Sequence, residues 1–115
     1  MGKYVIKPGD RPAYEPPGHV GTINYPLIDP ANGAQHLEVA LGVISEAGEV
    51  HPHAHEKEEQ AMYILEGKAS IDVEGVKEVA GPGDFVFFPR GKTHEIVALE
   101  FPYRVLVIYA PPRES

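Results

Sequence analysis

Residues 51–60 read "HPHAHEKEEQ", with His51, His53 and His55 at alternating positions and a run of acids ending in Gln60. Neutral imidazole is the commonest protein ligand for transition metals, so the first chemistry to consider is a metal site. In an extended strand, side chains two apart share a face with Cα atoms about 6.6 Å apart, so all three rings would point the same way. Two neighbours of the set can converge on one ion at about 2.0 to 2.1 Å from each ring nitrogen. The outer pair, about 13 Å apart, cannot do so together. His53 belongs to either workable pair. The competing reading is a solvated loop in which "HEKEEQ" is charged surface and the imidazoles titrate freely.

Rings can be held at fixed distances only by rigid elements, and the chain supplies strands. From Leu37 onward short runs rich in β-branched and aromatic residues, such as "QAMYILEG", "DFVFFP" and "YRVLVIYA", are bounded by Gly, Pro, Asp or Asn. Their spacing of about 8 to 12 residues favours a β-sandwich or barrel. The stretch "ASIDVEGVKEVAGPG" predicts a hairpin turning at Glu74 and Gly75, with Ile71 and Val73 on one arm and Val76 and Val79 on the other. No long segment keeps a 3.6-residue apolar period, so almost no helix is expected. Residues 1–36 read as an extended arm with one strand around 22–27, and residues 37–115 as the barrel, together one structural domain. His19 and His36 have no partner at ligand spacing and read as surface or structural rings.

Composition narrows the function classes. At 115 residues the chain can close one hydrophobic core. Ten Lys and Arg against 17 Asp and Glu give a formal charge of −7, without the basic stripe that nucleic acid demands. No stretch approaches the roughly 18 apolar residues of a membrane span, and the N-terminus has no signal-peptide pattern, so a cytoplasmic protein is the expectation. The absence of cysteine removes disulfides, thiolate ligands and thiol nucleophiles together.

Two motifs resemble the paired signatures of the cupins. Gly48, His53, His55, Gln60 and Gly67 follow the first, in which glycine, a His-x-His pair, an acid and a second glycine recur at set spacing. Gly83, Pro89, Gly91 and His94 match the second at every spacing, and residues 68–82 separate the two. Three departures stand out. Four residues rather than five separate Gly48 from His53, Ala98 stands where the second signature ends in Asn, and Gln60 stands where the first has Glu. Glu59 is the alternative for that position, but its distance to Gly67 requires a bulge in the strand. Adjacent strand residues face opposite ways, so only one of Glu59 and Gln60 can reach an ion.

The resemblance implies an all-β, double-stranded β-helix, or jelly-roll barrel. It also implies one divalent transition metal per chain (Fe, Mn, Ni, Zn or Cu) held by His53, His55, Gln60 and His94, with His51 and Glu59 as alternatives. Three imidazoles and a neutral amide would leave the ion's charge uncompensated, which favours an anionic, oxygenated small molecule as substrate. Tyr63 and Arg90 are candidate catalytic groups, the first as a proton carrier and the second as a partner for a substrate anion. Met62, Ile64, Phe85, Phe87 and Ile96 read as barrel filling or pocket wall. Family frequency orders the reaction classes as oxygenase, making the chain an oxidoreductase, then isomerase, lyase and decarboxylase. The rivals are a binding module without turnover and a barrel whose metal is structural. Relatives of this size imply a homodimer.

Overall fold

The computed structural model describes residues 4–16 and 19–113, the side chains of 19–20 and 46–53 excepted. Six strands follow in order: β1 (His19–Ile28), β2 (Glu38–His53), β3 (Glu59–Val73), β4 (Val76–Ala80), β5 (Phe85–Phe88) and β6 (His94–Ala110). All pairings are antiparallel, in the order β1-β2-β6-β3-β4, and β5 joins the free edge of β3. One short 3-10 turn, Pro30–Asn32, is capped by Asp29. The architecture is the expected all-β jelly roll.

The long strands β3 and β6 serve both halves of the barrel by changing which side faces inward. Along β3 the buried residues are Gln60, Met62 and Ile64, then Ala69 and Ile71. Along β6 they are His94, Ile96 and Ala98, then Tyr103, Val105, Val107 and Tyr109. Period-two alternation cannot move from even to odd positions without a break. The break falls where the two strands pass each other, between Ile64 and Ala69 on β3, opposite the stretch of β6 from Glu100 to Arg104. Gly67 sits at that corner with φ +83°. A Cβ there would lie 2.6 Å from the carbonyl oxygens of both Glu100 and Pro102. The corner brings His94, from the first half of β6, into the same interior as Tyr109, from its second half.

The interior is packed by Met62, Ile64, Ile71, Phe88, Ile96, Val105 and Val107. Each such burial is worth about 1.5 to 3 kcal/mol relative to exposure. Ala98, where the second signature has an amide, is part of this core. The turn at Glu74 and Gly75 forms as expected, both residues having positive φ, between the paired Val73 and Val76. One expectation is corrected. Phe85 and Phe87 are 69% and 57% exposed, whereas Phe88 is buried and Val86 packs on the core. The short run "FVFF" alternates either way, and pairing with Gln60 and Met62 turns Phe88 and Val86 inward. Val76 and Val79 are also exposed.

Strand β1 spans more than the stretch expected from the sequence and pairs with β2 over most of its length. Its inward residues, Thr22 and Asn24, are buried in the barrel wall.

Candidate metal centre

One end of the interior gathers His55, Gln60, Phe88, His94 and Tyr109. Gln60 pairs with Phe88 on one side and Tyr109 on the other, so the three share an inward row. His94 is 2% exposed, with its ring centroid 4.2 Å from that of Phe88 and 5.6 Å from that of His55. His55 also meets the edge of Tyr109 at 5.3 Å. The two rings therefore come together although 39 positions separate them in the chain.

The side chains of His51 and His53 lie outside the described residues. The backbone register pairs His53 directly with His94. Glu59 is exposed, while Gln60, next to it, is 5% exposed. The Oε1 atom of Gln60 is buried and accepts no hydrogen bond from the described residues. Leaving such an acceptor unsatisfied costs about 1 to 3 kcal/mol, so a buried amide oxygen of this kind calls for an electrophile. Among the described residues no three His, Cys, Asp or Glu side chains are grouped to hold an ion. An amide oxygen falls outside those types, and the His53 ring outside those residues. The donor types at this end, imidazole nitrogen and amide oxygen, fit a divalent transition metal.

Glu58 is a buried acid beside the site that spacing alone did not single out. It is 8% exposed, and one of its carboxylate oxygens lies 3.4 Å from Nδ1 of His55. A metal-binding imidazole commonly gives its second nitrogen to a carboxylate in this way. In "HEKEEQ" the acid run concealed which member turns inward.

Behind Tyr109 stands Arg113. Its guanidinium carbon is 4.2 Å from the Tyr109 ring centre, Nη2 donates to Glu38 at 2.8 Å, and the same nitrogen donates to the Tyr14 hydroxyl at 3.1 Å. Burial works against the charge of Arg113, but the Glu38 hydrogen bond and the electrostatic pull of Tyr109, Glu38 and Tyr14 together outweigh it and hold the group above its ordinary pKa. Burial pushes the Tyr109 phenol up to about 12, against the opposing pull of Arg113. Burial likewise raises the Tyr103 phenol.

The centre opens into a small cavity of about 30 Å³. Gln60 and His94 are polar groups in its wall, and Met62, Ile96, Val105 and Val107 supply apolar surface. Tyr63 is on the other face of β3, with its ring 4.7 Å from that of Phe85. Arg90 is exposed in the turn before β6. Neither lines the cavity. His36 is exposed.

Residues 41–109 match the family model described as "Cupin domain", and the chain belongs to that family. Among solved structures, the chain is similar to KdgF from Halomonas sp., with 23% identity and a TM-score of 0.83 over 99% of this chain and 97% of that one. It is also similar to the polyketide cyclase RemF from Streptomyces resistomycificus, with 32% identity and a TM-score of 0.81 over 98% of this chain and 81% of that one. An RmlC-like cupin from Shewanella frigidimarina shares 24% identity, with a TM-score of 0.76 over 91% of this chain and 87% of that one. No curated protein matches the sequence. Among the described residues no helix is long and apolar enough to cross a membrane.

Proposed function

We propose that this cupin is a metal-dependent enzyme acting on a small, oxygenated, anionic molecule. One divalent transition metal per chain would be held by His53, His55, Gln60 and His94. The single observation that carries the reading is the buried Oε1 of Gln60, unsatisfied among the described residues, on the wall that also holds His94. When bound, the metal supplies a Lewis acid that stabilises negative charge on a substrate oxygen.

The chain's own residues define the rest. Met62, Ile96 and Val107 present apolar surface that excludes water from the bound molecule. The Tyr109 phenol, held up to about 12, keeps its proton at neutral pH and therefore serves as a donor rather than a base. Glu58 fixes the orientation of His55. The likeness to RemF, at 32% identity, supports redox-neutral chemistry of a cyclase or isomerase type over the oxygen-dependent class that family frequency puts first. The working unit in this reading is a homodimer.

The test is elemental analysis of protein purified without added metal, followed by the same measurement on His94→Ala. About one equivalent of a transition metal in the parent, lost in a variant that keeps its β circular dichroism, supports the proposal. A parent that binds no transition metal overturns it. A variant that unfolds on metal removal would favour a structural ion instead.

A further inference from the structure

Arg113 ties together three separate parts of the chain. Its backbone N–H donates to Oε1 of Glu38, at the start of β2, at 2.8 Å, and its Nε donates to both carboxylate oxygens at 3.3 Å. Nη2 reaches the same carboxylate and the hydroxyl of Tyr14, in the N-terminal arm. Tyr14 is itself fixed, by two backbone hydrogen bonds to Asn24 on β1 at 2.9 and 2.8 Å. Arg113, Glu38 and Tyr14 all lie outside residues 41–109, the span that matches the family model. A guanidinium anchored in this way has little freedom, and it covers one face of the Tyr109 ring.

The ring it covers stands against His55 in a T-shaped contact, with the two planes at 77°. Glu58 lies on the Nδ1 side of the same imidazole. We propose that Arg113 is a positioning residue for the metal centre, acting through Tyr109 to hold the His55 ring at the angle from which it meets the ion. The inference rests on the metal reading above. Arg113 also shares with His55 and Glu58 the wall of an open cleft of about 380 Å³. Without the guanidinium behind it, Tyr109 has room to swing away from His55.

The sign of the effect separates this role from that of a bystander charge. A cation near a metal site repels the ion, so removing a bystander would tighten metal binding. Removing a positioning group loosens it. Lysine keeps the charge but loses the planar fork that both grips Glu38 and lies over the ring, so it does not replace arginine here.

Cobalt(II) is the probe, because its visible absorption reports ligand geometry as well as occupancy. The full chain is loaded with Co²⁺, and its spectrum and its affinity by chelator competition are compared with those of Arg113→Lys, Arg113→Gln, Tyr109→Leu and the double variant Arg113→Lys/Tyr109→Leu, each checked for β circular dichroism. Arg113→Lys and Arg113→Gln are expected to bind Co²⁺ about tenfold more weakly, with altered d–d bands. The double variant should bind as Tyr109→Leu does, since Arg113 acts through that ring. Arg11→Ala, which breaks the arm's 3.0 Å ion pair with Asp29, is the control and should leave the spectrum unchanged even where it lowers Tm. An unchanged spectrum and affinity in Arg113→Lys, tighter binding by Arg113→Gln, losses that add in the double variant, or an equal change in Arg11→Ala overturns the positioning role and leaves the metal reading standing. A parent that takes up no Co²⁺ overturns both.

Discussion

Nδ1 of His55 lies 3.4 Å from the carboxylate of Glu58, three residues on, with 17% and 10% of the two side chains exposed. An exposed pair at this distance would do little. Here the pair is largely buried, and a carboxylate beside Nδ1 favours a proton on that nitrogen, which would leave Nε2 for an ion. Glu58→Ala is expected to weaken metal binding about 10- to 100-fold. Glu58→Gln, which keeps an acceptor oxygen, should recover part of that loss. Chelator competition measures both, and equal affinities in parent and Glu58→Ala would mean that the contact has no part in holding the ion.

The corner at Gly67 makes a separate prediction, for stability. Alanine there must take φ +83° and also place its Cβ against two backbone carbonyls, which cannot yield as a flexible side chain could. Left-handed strain alone costs about 1 to 3 kcal/mol, and the clash adds to it. Gly67→Ala should therefore destabilise by about 3 kcal/mol or more, lowering Tm by roughly 10 °C. Urea unfolding is the measurement. A loss below about 1 kcal/mol would mean that β3 and β6 can change their inward phase without glycine.

How far the sequence disclosed this arrangement depended on whether a feature was local. The hairpin at Glu74 and Gly75 was readable because a tight turn writes its requirement into two adjacent residues. The choice of Gln60 over Glu59 as the inward residue was readable because spacing to Gly67 fixes phase along one strand. The inward face of "FVFF" was not, since four apolar residues alternate equally well in either sense and only the pairing with β3 decides. Tyr63 failed for a related reason. It stands next to inward Met62, and its row becomes visible only once β5 and β6 are laid beside it. Glu58 lay hidden in a charged run because its burial comes from the fold, not from its neighbours in sequence.

The buried phenols set an alkaline limit. Tyr109 has an ordinary pKa of 10 in the unfolded chain and about 12 in the fold. A proton held more tightly by the folded form stabilises it fully below pH 10 and progressively less as pH rises from 10 through 12. The loss from Tyr109 is about 3 kcal/mol when complete, and Tyr103 shifts in the same direction. Unfolding free energy should fall steeply across that window, and Tyr109→Phe should flatten part of the fall. The check is urea unfolding followed at several pH values together with tyrosinate absorbance. Identical pH profiles for parent and Tyr109→Phe would remove Tyr109 from the account.

Gln60→Glu separates a ligand from a merely buried amide, because it moves the metal-free and metal-loaded proteins in opposite directions. The position is 5% exposed and its oxygen has no hydrogen bond from the described residues, so a carboxylate there is poorly solvated without an ion. The metal-free variant should lose about 2 kcal/mol or more of stability, most of it recovered at low pH as the acid takes up a proton. A divalent ion beside that carboxylate replaces the missing solvation and adds a charge that the amide lacks. Metal affinity should rise at least about tenfold, and the gain in Tm on adding metal should exceed that of the parent. Glu59→Gln, on the exposed face, should change neither quantity. Chelator competition and thermal melts with and without metal read out all three proteins. If Gln60→Glu binds the ion no tighter than the parent while Glu59→Gln binds it more weakly, the ligand is Glu59 and β3 must bulge to deliver it.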